Sequence, residues 1–210
     1  MDAESFVDRL AAVCLPDAFN PYRDACPVHD STDSPRIRRD NLAAYLTAQL
    51  RLRPPSLWVG EAGGYRGLRR TGLPLISEDW MNAASDRLGV QFRKATVTPL
   101  VRELSAGAVW REIEKLDHVP LIWAAAPQHV HRPGSPLSNR NPSIREVRLF
   151  YPFLTELLST FEPKIVVAIG RVAQRALSEL GVPHTYVRHP SMGGIPQFRE
   201  GIRQVYDVSR

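Results

Sequence analysis

The chain has 210 residues, and its 27 basic and 22 acidic side chains give a formal net charge of +5. A composition of 43% hydrophobic and 23% charged residues excludes a chain that is disordered over most of its length. No apolar run approaches the ~18 residues that a membrane span needs, and the acidic start (Asp2, Glu4, Asp8) is atypical of a secretory or organellar leader. The length allows one sizeable core. We therefore expect a single domain over 1–210, with an N-terminal helix and loop (1–35) packed on it.

Alternating helical and strand patterns run along the chain. Helical spacing of apolar residues predicts helices over 3–14, 36–53, 77–88, 107–116, 143–161, 171–180 and 198–206. Short apolar runs predict buried strands over 56–59, 119–126, 164–169 and 185–188. Such alternation predicts an α/β fold, a three-layer α/β/α sandwich around a small parallel four-stranded sheet. Ligands of such sheets bind at the carboxyl ends of the strands, where three loops leave, over 60–75, 127–142 and 189–195.

These loops hold most of the unusual chemistry. The glycines of the segment 60–67 let the backbone approach a planar or phosphate ligand closely, or simply make a tight connection. His129 and His131 are either metal ligands at strand spacing or exposed loop histidines. His189 stands at a strand end before a rigid proline, the hydroxyl of Ser191 and two glycines, which favours a functional role.

The cysteines and arginines limit which metal sites and which partners are expected. Cys14 and Cys26 form no CxxC pair, so this chain alone cannot supply a four-cysteine iron–sulfur or zinc site. A disulfide is conceivable, but a reduced cytoplasmic protein is expected, associated with the nucleoid if the source is prokaryotic. Because 24 of the 27 basic residues are arginines, the excess indicates a phosphate-bearing partner, with coding bias as the alternative.

In order and spacing, residues 35–205 resemble the uracil-DNA glycosylase superfamily. The segment 60–64 (GEAGG), continued by 71–75 (TGLPL), is similar to the family's first motif, and His189-Pro190-Ser191 to its HPS motif. The resemblance implies a monofunctional, monomeric DNA-repair enzyme of the branch without an iron–sulfur cluster, with no cofactor and no metal. It would flip uracil out of single- or double-stranded DNA and hydrolyse the N-glycosidic bond, leaving an abasic site. From the resemblance we expect neither association with a membrane nor an obligate protein partner.

The resemblance also assigns site residues. His189 would donate a hydrogen bond to the uracil O2 oxygen, while Glu61 would position water or only hold the loop. The base pocket would be lined by Gly60, Ala62, Gly63, Gly64, Tyr65, Leu75 and Ala124. DNA would be contacted by Ser191, Met192, Gly193, Gly194, Ile195, Arg66, Arg70 and Arg140. Met192, with Ile195 as the alternative, would be the apolar wedge pushed into the base stack.

Three positions depart from the family pattern. Ala62 stands where some branches carry a water-activating Asp, and Leu75 where an aromatic ring usually stacks on uracil. Ala124 stands in place of the base-reading Asn, for which Gln128, His129 and Asn139 are candidate replacements. Tyr65 would help to exclude thymine or would only be packed scaffold.

Two other functions remain open. The first is a protein on the same fold that binds uracil-containing or abasic DNA with little turnover, which Ala62 and Ala124 suggest. The second is a nucleotide-binding α/β protein without glycosylase activity, because a fold alone does not fix a function.

Overall fold

The structure, a computed structural model, describes residues 1–207. Its helices are α1 (Ala3–Ala12), α2 (Ser34–Leu52), α3 (Leu68–Thr71), α4 (Met81–Leu88), α5 (Leu104–Ile113), α6 (Ile144–Arg148), α7 (Tyr151–Phe161), α8 (Arg171–Glu179) and α9 (Ile195–Asp207). Its strands are β1 (Ala18–Phe19), β2 (Ser56–Ala62), β3 (Leu121–Ala126), β4 (His129–Val130), β5 (Ile165–Ile169) and β6 (Thr185–Val187). Within residues 1–207, none of the helices has the length and apolar content required to cross a membrane.

The predicted parallel four-stranded sheet is confirmed. Its strands lie in the order β3-β2-β5-β6, and each neighbouring pair runs parallel. In this register Gly60 of β2 lies beside Ala124 of β3. The short strands β1 and β4 form a separate antiparallel pair. All four strands of the main sheet therefore end at one edge, which is where the predicted site residues follow.

Two buried tryptophans show that helices cover both faces of the sheet. Trp123 pairs in register with Val59, whereas Trp58 is the preceding residue of β2 and so points to the opposite face. Trp123 packs edge-on against Phe6 of α1, and Trp58 against Phe198 of α9. The sheet is thus the middle layer of the predicted α/β/α sandwich.

The N-terminal segment joins the same core. Phe6 and Leu10 of α1 are fully buried and belong to the main hydrophobic cluster. The loop that follows α1 is held by Arg38 of α2, whose guanidinium pairs with Asp30 at 2.9 Å and donates to the carbonyl oxygens of Pro21 and Asp24. A buried guanidinium needs such a set of partners because an unpaired buried charge is very costly.

Some predicted boundaries are wrong for local reasons. The predicted helix over 143–161 is two helices, α6 and α7, although its capping box of Ser143 and Glu146 is present. Pro152 explains the break, because proline has no N–H and its ring would clash with the carbonyl four residues earlier. The helix predicted over 77–88 begins with a 3₁₀ turn, Glu78–Trp80, and α9 begins three residues earlier than the predicted 198.

Candidate active site

The carboxyl edge of the sheet brings Glu61 and His189 into one site. Glu61 lies in β2, and its carboxylate packs against Gly170, the residue that links β5 to α8. His189 follows β6 after one residue. The negative charge of Glu61 acts on the His189 ring and raises its pKa, although burial of the ring lowers that pKa more strongly. Two residues that are 128 positions apart thus share one electrostatic environment.

The His189 ring is oriented by Ser191. The Ser191 backbone N–H donates to Nδ1 of His189 at 3.1 Å, and the Ser191 hydroxyl lies 2.8 Å from the same nitrogen. Burial, followed by the positive charge of Arg188, holds the pKa of His189 below its ordinary value of 6.5. A neutral imidazole whose Nδ1 accepts must carry its proton on Nε2. His189 is therefore set up as a neutral Nε2–H donor.

Glu61 caps α8 from the neighbouring strand. The Val172 N–H donates to Glu61 Oε1 at 3.3 Å, and the helix cap itself, Gly170, has no side chain. A Cβ at Gly170 would lie 2.4 Å from this oxygen, so a larger residue is excluded there, and the φ of +94° also favours glycine. Glu61 Oε1 is thus bonded to the start of α8. Water positioning by Oε2 stays a prediction.

The first loop places three predicted pocket residues side by side. Leu75 lies over Gly60, where a Cβ would be only 3.2 Å from Leu75 Cδ1, and Gly60 pairs with Ala124. Leu75 adopts a left-handed φ of +51°, and its carbonyl accepts from the indole N–H of Trp110 at 3.0 Å. The backbone N–H of Gly63 lies 3.1 Å from two β3–β4 carbonyls, one of which belongs to Gln128. This wall is apolar and closely packed.

Glu103 belongs to the same loop cluster, and sequence reasoning missed it. Its carboxyl group lies against Gly64 and Gly67, where an added Cβ would come within 2.1 Å of a Glu103 oxygen in each case. Burial, with a smaller contribution from the charge of Asp79, raises the pKa of Glu103 to about 7. No motif surrounds Glu103 in the sequence, so only the pair of glycines opposite it hinted at a close neighbour.

Two of the three candidate base readers are committed to structural bonds. Gln128 is buried and donates to the Val13 carbonyl at 2.8 Å. His129 is fully buried, with Nδ1 3.0 Å from an Arg69 nitrogen and Nε2 2.8 Å from the Ser138 carbonyl oxygen. Burial, and then Arg69, lowers the pKa of His129 to about 4. The expectation that Gln128 or His129 reads a base is therefore wrong.

Asn139 and Tyr65 stay close to the first loop. Asn139 is exposed, and its Oδ1 accepts from the Tyr65 backbone N–H at 3.0 Å. The Tyr65 ring lies between the rings of His29 and His129, with centroids 6.1 and 6.3 Å away. This contact gives Tyr65 a packing role. Base reading by Asn139 and exclusion of thymine by Tyr65 remain predictions.

The arginines near the loops divide into buried and exposed ones. Arg70 is 1% exposed, pairs with Glu78 at 3.0 Å and donates to Thr96 and Thr98. The predicted contact of Arg70 with DNA is therefore wrong, because its side chain is enclosed by protein. Arg140 is largely buried and pairs with Glu146 at 2.6 Å, which balances its charge. Arg66 is exposed, and its role in DNA binding stays a prediction.

The last loop presents Met192 at its tip. The Met192 side chain is 91% exposed and its φ is +52°, which places it in the left-handed region at the head of the turn. Gly193 also has a positive φ, whereas Gly194 is buried. Ile195 is partly buried in the first turn of α9. Of the two predicted wedge residues, Met192 is the one that projects into solvent.

The histidines and cysteines show no metal-binding arrangement. Among residues 1–207, no three side chains of His, Cys, Asp or Glu are grouped so that they could hold a metal ion. His131 Nδ1 lies 3.0 Å from the Arg132 carbonyl. Cys14 is exposed, Cys26 is buried, and neither forms a disulfide.

Comparison with known proteins places the fold. No family model and no curated protein matches the chain. Among solved structures, the crystal structure of wild-type SMUG2 from Pedobacter heparinus matches with a TM-score of 0.61 and 11% sequence identity. The match covers 100% of this chain and 97% of that one. The chain therefore has the fold of that SMUG2, a parallel four-stranded sheet flanked by helices.

Proposed function

We propose that this protein is a DNA-repair glycosylase that extrudes uracil from DNA and hydrolyses its N-glycosidic bond, leaving an abasic site. The observation that carries the proposal is the neutral His189 ring, held by Ser191 at the end of β6 beside Glu61. The glycine-rich loop at the end of β2 and the likeness in fold to a SMUG2, a protein of the uracil-DNA glycosylase family, support the same activity.

The chemistry requires a donor at the leaving base. When the bond between C1′ and N1 breaks, its electron pair stays on uracil and negative charge develops on O2. The Nε2–H of His189 donates to that oxygen, and a donor placed in advance lowers the barrier. A water oxygen then bonds to C1′ and loses a proton, and through solvent this proton balances the uracil anion, which leaves as free uracil. In this proposal Glu61 Oε2 accepts a hydrogen bond from that water.

Removal of the donor is the first test. His189→Ala should slow release of free uracil from a uracil-containing oligonucleotide by about 10²-fold or more, with EDTA present throughout. His184→Ala is the matched control, because His184 is partly buried just before β6 and outside the site. Unfolding curves of both variants show whether the fold is kept. An unchanged rate for His189→Ala would remove the role assigned to it.

The contact with DNA phosphates is tested by salt. Arg66→Gln should weaken oligonucleotide binding and reduce the slope of log K against log salt by about 1, because one phosphate contact is lost. Arg36→Gln removes an equal charge from α2 and is the control, since Arg36 is already paired with acidic residues of its own helix region. Equal slopes for both variants would place Arg66 outside the interface.

The second candidate function is a DNA-binding protein with little turnover. It is favoured by Ala62 and Ala124, which have no polar side chain, and by the bond that ties Glu61 to α8. Oligonucleotides with uracil, hypoxanthine, xanthine or a G·T mismatch, single- and double-stranded, separate the two. Tight binding without base release on any substrate would favour this second function. A preference for free nucleotide over DNA would exclude both.

A further inference from the structure

We propose that Arg188 is a positioning residue for His189, whose guanidinium closes the turn that carries the ring and sets the charge around it. This inference rests on the proposed glycosylase function for its catalytic meaning. Arg188 follows β6 directly, is partly buried, and contacts the backbone of His189 through its guanidinium.

The geometry of the turn comes first. Arg188 Nη1 donates to the His189 carbonyl oxygen at 2.8 Å. A Cβ on Gly194 would lie 2.2 Å from that oxygen and 3.2 Å from Cζ of Arg188. The Gly194 N–H in turn donates to the Ser191 carbonyl at 3.0 Å. The guanidinium therefore packs beside the point where the start and the end of the turn meet, and the His189 carbonyl oxygen to which it donates leaves room for glycine alone at position 194.

The charges that face the ring come from two strands. Glu61 on β2 favours protonation of His189, whereas Arg188 at the end of β6 opposes it together with burial. A proton on Nδ1 would point at the Ser191 N–H, which now donates to this nitrogen. Two hydrogens would then face each other, and the turn would open. Burial is the main effect that keeps Nδ1 free to accept, Arg188 adds to it, and in this proposal its positive charge also stabilises the anion that forms on the base.

Two substitutions separate charge from shape. Arg188→Gln removes the charge, and we expect the pKa of His189 to rise, because one of the effects that lower it is lost. The acid limb of the pH profile of base release should move to higher pH by the same amount as the pKa measured by NMR. Arg188→Lys keeps the charge but loses the planar fork, so the pKa should stay near the wild-type value while the rate falls at every pH.

The experiment combines NMR titration of histidine-labelled protein with pH–rate profiles on uracil-containing oligonucleotides. Arg36→Gln, an equal loss of charge on α2, is the control. The NMR titration reads the pKa and tautomer of His189 without any turnover, so it decides the inference even if the wild-type protein releases no base and the proposed function fails. A His189 pKa unchanged in Arg188→Gln would overturn the inference.

The lysine variant provides a second decision. An equal rise of the His189 pKa in Arg188→Lys and Arg188→Gln would also overturn the inference, because charge would then play no part. If Arg188→Gln does not fold, Arg188→Lys still tests the turn. It should retain the Nε2–H tautomer with a reduced rate, and a rate equal to wild type would contradict the positioning role.

Discussion

The first loop (60–75) and the last loop (189–195, with Arg188 just before it) differ in what holds them. Besides backbone hydrogen bonds of its own, the first loop is fixed by residues outside it: carbonyls of the β3–β4 connection accept from Gly63, and the Glu103 carboxyl packs against Gly64 and Gly67. The last loop is held mainly by bonds within itself, which join Ser191 to His189, Arg188 to the His189 carbonyl, and Gly194 to Ser191. We therefore expect substitutions around the first loop to lower the free energy of unfolding. Substitutions in the last loop should instead lower the rate of the proposed base release.

The largest expected effect is on the support of the first loop. Arg70→Met should lower the free energy of unfolding by about 3 kcal/mol, because it removes the buried partner of Glu78 and leaves Lys94, 3.9 Å away, as the countercharge of that buried carboxylate. Urea unfolding measures this loss. Arg66→Met, in the same loop but exposed, should change stability by less than about 0.5 kcal/mol. Equal losses of unfolding free energy in the two variants would contradict the expected difference between buried Arg70 and exposed Arg66.

The second effect is the pH dependence that Glu103 confers. Its pKa is about 7 in the folded protein and close to the ordinary 4.5 in the unfolded chain, so the native state binds the extra proton. The contribution of protonated Glu103 to the stability of the fold is therefore fully present below pH 4.5 and is lost as the pH rises through 7. Because glutamine stays neutral, the free energy of unfolding of Glu103→Gln should rise relative to that of the wild type as the pH increases from 4.5 to 8, by about 2–3 kcal/mol in all.

Unfolding curves across this pH range test the claim. Glu114→Gln, at the exposed C-terminal end of α5, is the control and should show no such gain. The contribution of other titrating groups, such as His129, cancels in the difference between variant and wild type. A pH-independent difference for Glu103→Gln would mean that the carboxyl is not buried against the glycines.

The smallest expected effect is in the last loop. Ser191→Ala removes the hydroxyl beside Nδ1 of His189 but keeps the backbone N–H donor. Loss of one hydrogen bond is worth about 1 kcal/mol, so base release should slow about fivefold. Because the exposed hydroxyl supports no core contact, the unfolding midpoint should stay unchanged. If Ser191→Ala lowered the unfolding midpoint but left the rate of base release unchanged, the expected difference between the two loops would be wrong.

The sequence predicts the parts of this molecule that depend on local pattern. The four strands of the main sheet, the turn that carries His189 and the glycine loop each depend on residues that are close together in the sequence. The position of the last loop at the end of β6 was therefore predictable, whereas the hydrogen bonds of Ser191 with His189 were not predicted, because Ser191 was assigned to DNA. The break before α7 could have been predicted from Pro152 alone.

What the sequence does not predict depends on distant partners. Arg70 looks like a DNA contact until Thr96 and Thr98, more than 25 residues away, are seen to enclose it. His129 looks available until Arg69 and the Ser138 carbonyl occupy its two nitrogens. In each case tertiary packing decides whether a polar side chain faces solvent, and periodicity carries no information about it.

The two tryptophans of the sheet give each face its own optical reporter. The indole N–H of Trp58 donates to the Tyr206 hydroxyl at 3.0 Å, whereas that of Trp123 is buried with no hydrogen-bond partner within residues 1–207. Trp123 should therefore emit at shorter wavelength than Trp58. Variants that retain one of the two and also lack Trp80 and Trp110 would show by fluorescence whether the α1 face or the α9 face of the sheet becomes exposed to solvent first during unfolding.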